Sequence, residues 1–158
     1  MFVARTLIVN DCNIRELNQA NLLYLVHNFS EKEREKLLCL SYHEGSLFAV
    51  YTLLKNGCSV SNLSREKQER LLHCACHKGD AFGVEALLDS GCNMNCVNVI
   101  GYTPLMNGTE KGHEEVVKKL ILAGGNVGMQ TTGGKTALHI AAFCNNIHIR
   151  TTIASTYH

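Results

Sequence analysis

A repeat of 33 residues is the feature that most constrains the fold of this chain. When residues 101–127 are placed against residues 134 onward, small and apolar residues recur at an offset of 33. The matching pairs are Gly101 with Gly134, Thr103 with Thr136, Leu105 with Leu138, and Val116 with Ile149. Two further copies lie upstream, at offsets of 33 and then 34. Such self-similarity predicts a stack of equivalent units, each of which buries its apolar face against its neighbours.

The third copy shows why each unit is expected to fold as a pair of helices. Thr103 is a good N-cap, and Pro104 suits the first helical position, where a missing N–H costs nothing. This helix is expected to end near Lys111. A second helix is predicted from about His113 to Ala123, with apolar residues at helical spacing, and Gly124 is expected to stop it. The glycine- and threonine-rich residues that follow predict an extended loop that turns back.

These motifs resemble the ankyrin repeat. The chain carries T-P-L-M, G-H-x-x-V-V, L-x-x-x-G and T-A-L-H-I-A-A, and the resemblance covers about residues 30 to 153. It implies an all-α solenoid of stacked helix-turn-helix units with hairpin-like finger loops. It also implies a non-enzymatic scaffold or adaptor without a cofactor, which binds a partner protein through its finger tips and the concave face of its first helices.

The repeat register predicts how the chain is divided. Its segments are 1–29 (an N-terminal capping helix or a degenerate repeat), 30–63, 64–96, 97–129, and 130–158 (an incomplete C-terminal cap). A helix is expected from about Asn13 to His27. Ser30 and Glu33 have capping-box spacing, and residues 64–70 are similarly charged, so the first helices of the first two repeats are predicted to start early.

The segment GGKT at residues 133–136 raises the alternative of a phosphate-binding loop. That loop needs a glycine separated by four residues from its Gly-Lys-Thr, because the spacing directs successive backbone N–H groups at the phosphates. The required position holds Met129. Within the repeat, Gly134 is instead expected to take a turn and Thr136 to cap a helix.

Charge, hydropathy and cysteine usage favour a protein of the cytoplasm or nucleus. The net charge is +1, which argues against polyphosphate and nucleic-acid partners, and aromatic residues are sparse. We expect no signal peptide, because polar residues interrupt the apolar start of the chain, and no membrane span. The eight cysteines are scattered through apolar, helix-like segments, which is typical of reduced core residues rather than disulfides.

A zinc-binding or redox-sensing role is the alternative that the sequence leaves open. His73 and His77 lie one turn apart on a predicted helix, and Cys92 and Cys96 follow, so two histidines and two cysteines are available for a tetrahedral site. The resemblance accounts for most of them otherwise: His73 falls where the family uses a histidine to bind the neighbouring finger loop. Cys92 falls at a buried small position, and His77 at an exposed one.

A cysteine nucleophile is not expected. Cys76 and His77 are adjacent, and neighbours in sequence point in different directions on a helix. Cys76 also falls at a core alanine position of the family pattern. His113 is expected to form a hydrogen bond at the start of the second helix.

The resemblance directs attention to the surface. Carried across residue by residue, the expected partner-binding residues are Val99, Ile100, Tyr102, Glu110, Lys111, Lys135, Phe143, Glu69, His77 and Lys78. Apolar residues at a finger tip mark a contact patch unless they fold back onto the neighbouring finger, and both arrangements stay open for Val99 and Ile100. The partner is expected to be another protein, with weak self-association through the C-terminal end.

Overall fold

The computed structural model describes residues 14, 17, 19–44, 46–61 and 63–157. The chain divides into two compact units, residues 1–59 and 60–158. Within the described residues there are nine α-helices and no strand. No described helix combines the length and apolar character that crossing a membrane requires.

The first unit contains α1 (Gln19–Asn28), α2 (Glu31–Glu44) and α3 (Leu47–Lys55). Both α1 and α2 pack against α3. The buried side chains between them are mainly leucine and valine, with one tyrosine: Leu22, Leu25, Val26, Leu37, Leu38, Tyr42, Val50 and Leu53. The first predicted helix, from about Asn13 to His27, corresponds to α1, which begins at Gln19. Asn13 itself lies outside the described residues.

Capping explains why α2 starts as early as the sequence predicted. The Glu33 carboxylate accepts hydrogen bonds from the Ser30 backbone N–H at 2.8 Å and from the Ser30 hydroxyl at 2.7 Å. A carboxylate in the first turn also interacts favourably with the positive end of the helix dipole. The charged segment therefore forms the first turn of a helix.

The second unit contains α4 (Arg65–Lys78), α5 (Ala81–Asp89), α6 (Pro104–Lys111), α7 (Glu114–Leu122), α8 (Ala137–Phe143) and α9 (Ile147–Ala154), followed by a 3-10 turn at Ser155–Tyr157. The first helices α4, α6 and α8 pack in one row, and the second helices α5, α7 and α9 pack in another. The last second helix, α9, is eight residues long, so the segment predicted as an incomplete cap still forms a pair of helices with α8.

Equivalent apolar positions of successive repeats meet between these two rows. The side chains that are most deeply buried there are Leu72, Val84, Leu87, Val116, Val117, Leu120, Ala141 and Ile153. The predicted Leu105–Leu138 equivalence is weaker, because Leu138 stays half-buried while Leu105 is buried. One continuous core thus holds the repeats of this unit in register.

The ends of the helices follow the predicted caps. The Thr103 hydroxyl accepts a hydrogen bond from the Met106 N–H at 3.3 Å, and Pro104 occupies the first position of α6. Ser64 caps α4, accepting from the Lys67 N–H at 3.4 Å, so α4 starts early, as predicted. Gly134 lies in a turn and Thr136 is the N-cap of α8, as the repeat predicted. The GGKT segment therefore forms the end of a finger loop and the start of a helix.

Candidate partner-binding surface

The packing of α4, α6 and α8 places equivalent residues of successive repeats in columns. Residues 69, 102 and 135 form one column, residues 77, 110 and 143 a second, and residues 78, 111 and 144 a third, each spaced by 33. We call the surface built by these columns the first-helix face. All ten predicted partner-binding residues lie on it or on the finger of the third repeat, residues 97–102.

The third finger is held by one asparagine that was not among the predicted residues. The Asn98 side-chain oxygen accepts hydrogen bonds from the Ile100 N–H at 3.1 Å and the Tyr102 N–H at 3.0 Å. The Asn98 N–H donates to the Tyr102 carbonyl at 3.0 Å, and the Gly101 N–H donates to the Asn98 carbonyl at 2.9 Å. The sequence could have indicated this role of Asn98, because Asn side chains commonly stabilise turns by accepting hydrogen bonds from the backbone two residues on.

The fourth finger repeats this geometry with threonine. The Thr131 N–H donates to the Lys135 carbonyl at 2.9 Å, and the Lys135 N–H donates to the Thr131 hydroxyl at 3.1 Å. The fingers are also close to each other, because a Cβ added at Gly101 would lie 3.1 Å from the Thr132 nitrogen. The finger turns of this unit are thus fixed by hydrogen bonds and by their neighbours.

The turn of the third finger projects apolar side chains into solvent. Val99 is fully exposed, at 103% of its reference area, and Ile100 is 56% exposed. Val97, at the base of the same finger, is 55% exposed. The alternative in which these side chains fold back onto the neighbouring finger is therefore wrong for Val99, and more than half of Ile100 also stays in solvent.

Tyr102 and Glu110 link the base of the finger to α6. Burial, and then the nearby charge of the Glu110 carboxylate, raises the pKa of the Tyr102 hydroxyl. The Glu110 carboxylate also lies 3.7 Å from the Lys111 ammonium. Tyr102 is half-buried.

His77 and Lys78 lie on the neighbouring helix, at its C-terminal end. Both are exposed. Desolvation lowers the pKa of His77, and the charges of Lys111 and Lys78 lower it further, against a smaller opposite effect of Glu110. His77 is therefore neutral at physiological pH and can both donate and accept hydrogen bonds.

Phe143 and Lys135 form the corresponding pair in the fourth repeat. The Phe143 ring is 87% exposed, and the Lys135 ammonium lies 5.7 Å from its centroid. A cation over an exposed ring contributes about 0.5–1 kcal/mol, enough to favour one orientation of both side chains. Phe143 is thus a large apolar group presented to solvent on a helix.

Glu69 has a different environment from the other predicted residues. Because α4 starts at Arg65, Glu69 lies inside a helix, whereas its equivalent Tyr102 lies at the base of a finger. Its carboxylate accepts a hydrogen bond from Arg65 Nε at 3.1 Å. The structure therefore places Glu69 in an intrahelical ion pair at the edge of the first-helix face.

A chain of hydrogen bonds that the sequence did not predict joins the second and third repeats. The Asn107 amide donates to His73 Nδ1 at 2.9 Å, and His73 Nε2 lies 3.4 Å from the Cys96 sulfur. A neutral imidazole that accepts at Nδ1 donates at Nε2, so the three groups form one directed chain. His73 was expected to bond to the neighbouring finger loop, and its Nε2 instead contacts Cys96, the residue directly before the third finger.

The order Cys-His-Asn resembles a nucleophilic triad, but the chemistry argues against it. Cys96 is buried, and burial raises the pKa of its thiol to about 12. A catalytic cysteine needs a lowered pKa and access to substrate. Cys76 is also buried, with its pKa raised, and its neighbour His77 points to solvent. The thiols therefore act as core groups.

His113 departs from its expected role at the start of α7. No side-chain hydrogen bond caps that helix. His113 Nε2 instead donates to the His77 carbonyl at 3.1 Å, which lies at the end of α4 in the preceding repeat. The histidine thus supplies a donor to one of the carbonyls that a helix end leaves without an intrahelical partner.

The four residues considered for zinc do not assemble into a four-ligand site. His73 and Cys96 are in contact, whereas His77 is exposed and Cys92 is buried. Across the described part of the chain, no group of three or more His, Cys, Asp or Glu side chains is placed to hold a metal ion.

Comparison with known proteins agrees with this architecture. A family model described as ankyrin repeats, three copies long, matches residues 37–130 and 72–156. No curated protein matches the chain. The matched residues span most of the sequence and coincide with the stacked helix pairs. The chain belongs to the ankyrin repeat family.

Proposed function

We propose that this chain is a non-enzymatic scaffold or adaptor that binds a partner protein through the third finger and the first-helix face. Ankyrin repeats are generally protein–protein interaction modules. The observation that supports this site most strongly is the finger turn: Asn98 holds it closed while Val99 and Ile100 stand in solvent. Exposed apolar groups on a fixed turn are costly to keep in water and are typical of contact surfaces.

The hydrogen bonds of the face favour binding without large rearrangement. The finger turns are already closed by hydrogen bonds, and the Lys135 ammonium already lies over the Phe143 ring, so few side chains must be ordered when a partner docks. Each rotamer-rich side chain that needs no ordering avoids a cost of about 0.5–1.5 kcal/mol. The rigid stack would therefore act as a pre-organised platform.

The chain's composition supports a reducing compartment, either the cytoplasm or the nucleus. Cys58, Cys76 and Cys92 fill buried positions in their units. A free thiol packs there as a small apolar group. We include this location in the proposal, and fluorescence microscopy of the tagged full chain would test it.

Affinity capture with a matched control tests the binding site. The variant Val99→Glu/Ile100→Glu places charges on the finger tip, where both side chains are exposed and the fold is expected to be unaffected. Leu122→Glu is the control, because Leu122 is 87% exposed at the end of a second helix. Loss of one apolar anchor of about 2 kcal/mol weakens binding about thirtyfold.

The two variants separate the finger from the rest of the surface. Proteins retained from an extract by wild type and by Leu122→Glu, but lost from the finger variant, support the proposal. If the finger variant retains the same proteins as wild type, the third finger is not the contact. Circular dichroism of each variant verifies that it is folded.

Weak self-association through the C-terminal end is a second proposal. The last described part of the chain exposes apolar side chains, with Ile147 and Tyr157 each 54% accessible. Sedimentation velocity over a range of concentrations tests it. A sedimentation coefficient that rises with concentration in wild type and not in Ile147→Glu supports this contact, and a constant coefficient in wild type excludes it.

A further inference from the structure

The fourth repeat leaves open a side that the inner repeats cover. It packs on the third repeat through α8 against α6 and through α9 against α7. Ala142 of α8 is exposed, whereas Cys76 and Thr109, its equivalents at the spacing of 33 residues, are both buried. A position that the following repeat covers in the second and third repeats is therefore uncovered in the fourth.

Arg150 occupies the position of a buried valine on the same side. Its equivalents in the three preceding repeats are Val50, Val84 and Val117, and each of them is fully buried. Arg150 is exposed. The fourth repeat thus presents a cation where the other repeats present an apolar side chain to their surroundings in the core.

We call the surface formed by Leu138, Ala142 and Arg150 the end face. Leu138 is half-buried and Ala142 is exposed, and both favour stacking, because apolar groups at equivalent positions hold neighbouring repeats together. Arg150 has the opposite effect. Covering a guanidinium that lacks a carboxylate partner is strongly unfavourable, since its charge loses its hydration.

The surrounding chain offers no carboxylate that could neutralise Arg150. Residues 116–158 contain no Asp or Glu, and the fourth repeat contains Lys135 and Arg150 as its cations. Among the residues that the structure describes, no ion pair includes Arg150. A self-complementary contact uses the same patch from both copies, so two end faces would bring two unpaired guanidinium groups into one interface, where like charges repel.

We infer that Arg150 is a gatekeeper, a residue that keeps the end face from stacking on the end face of a second copy of this chain. Leu138 and Ala142 provide the apolar contact, and the guanidinium holds that contact weak. The inference goes beyond the proposed self-association, which concerns Ile147 and Tyr157 and includes no residue that opposes the contact.

Replacing Arg150 by the valine of the other repeats tests the inference. Sedimentation equilibrium is measured for wild type, for Arg150→Val, and for Arg150→Lys, which keeps the cation. The control is Lys118→Val in α7, because residues 85, 118 and 151 are exposed in all three repeats of this unit. Arg150→Val is expected to form dimers with a Kd at least about tenfold smaller than that of wild type, since the uncompensated charge is gone. Arg150→Lys and Lys118→Val are expected to match wild type.

Two further measurements show that the effect comes from the end face and from charge. Arg150→Val/Ala142→Glu is expected to lose the added association, because a new charge lies in the same contact. Any association of wild type through the end face is expected to strengthen as sodium chloride screens the two cations, and Arg150→Val is expected to lose this salt dependence. Circular dichroism verifies folding, and Arg150→Ala serves as the second variant if Arg150→Val does not fold.

The outcomes separate this inference from the proposed function. Tighter association of Arg150→Val supports the gatekeeper even if wild type stays monomeric, a result that would exclude the proposed contact at Ile147. Equal dissociation constants for wild type and Arg150→Val overturn the gatekeeper, and loss of association in Ile147→Glu would then still support the proposed contact. Equally tight association of Lys118→Val also overturns it, since any added valine would suffice. A monomeric Arg150→Val that retains a new protein from an extract overturns it in favour of a different occupant of the end face.

Discussion

Replacing Gly79 by alanine tests how closely the second and third repeats are fitted together. Gly79 ends α4 with φ +78°, and a Cβ at this position would lie 2.7 Å from His113 Nδ1 and 2.8 Å from Cε1. The same imidazole donates to the His77 carbonyl at 3.1 Å. Alanine therefore introduces both backbone strain and a collision with the ring that bridges the repeats.

The expected cost follows from these two effects. A left-handed conformation costs a residue with a Cβ about 1–2 kcal/mol. Displacing His113 also removes a hydrogen bond to a helix-end carbonyl, which adds about 0.5–1.5 kcal/mol. The free energy of unfolding is therefore expected to fall by about 1.5–3.5 kcal/mol, which is a large part of the stability of a small protein.

Gly91→Ala is the matched control, because Gly91 has φ +83° and nothing within 4 Å of an added Cβ. It is expected to show only the backbone cost. The assay is urea unfolding followed by circular dichroism, for both single variants, for His113→Ala, and for Gly79→Ala/His113→Ala. The double variant is expected to cost less than the sum of its single variants. Equal costs for Gly79→Ala and Gly91→Ala, with no such coupling, would refute the argument.

Four further predictions concern the core, two titrating groups and metal. In urea unfolding, Leu120→Ala is expected to lower the free energy of unfolding by about 2–5 kcal/mol, because Leu120 is buried. Leu122→Ala is expected to lower it by less than about 0.5 kcal/mol, because Leu122 is exposed, and similar costs for the two variants would contradict this packing. Desolvation lowers the pKa of His73 below its ordinary 6.5, so the unfolded chain binds more protons than the folded one, and the free energy of unfolding is expected to fall as pH drops through 6.5. His73→Gln is expected to flatten this pH dependence, and an unchanged slope would show that other groups cause it. Burial raises the pKa of the Cys96 thiol to about 12, so stability is also expected to fall as pH rises through the ordinary thiol pKa of 9.0. The measurement is the thermal unfolding midpoint, and a midpoint that does not fall above this pH would contradict the buried thiol. Chelator treatment is expected to leave that midpoint unchanged, since the described residues provide no three-ligand site; a stoichiometric, stabilising zinc would instead support the zinc-binding alternative.

Much of the fold could be predicted from local signals. Thr103 and Pro104 fixed the start of α6, and Ser64 fixed the early start of α4, because capping depends on residues close in sequence. The same reasoning placed Gly134 in a turn, and the periodicity of 33 residues aligned the helix pairs.

The contacts between repeats could not be predicted in the same way. His73 meets Cys96 and Asn107 across 23 and 34 residues, and these partners become neighbours only after the repeats stack. His113 likewise bonds to the preceding repeat rather than to its own helix. The exposure of Val99 depends on how the finger turn sits beside its neighbour, which the finger sequence alone left undecided.

The central claim is that the third finger contacts the partner, and site-specific photo-crosslinking tests it most directly. A photo-crosslinking amino acid is incorporated in place of Ile100 and, separately, in place of the exposed control residue Leu122, and intact cells are irradiated. The proposed site predicts a crosslinked protein band from position 100 and none from position 122. A band from position 122 alone, or identical bands from both positions, would contradict it.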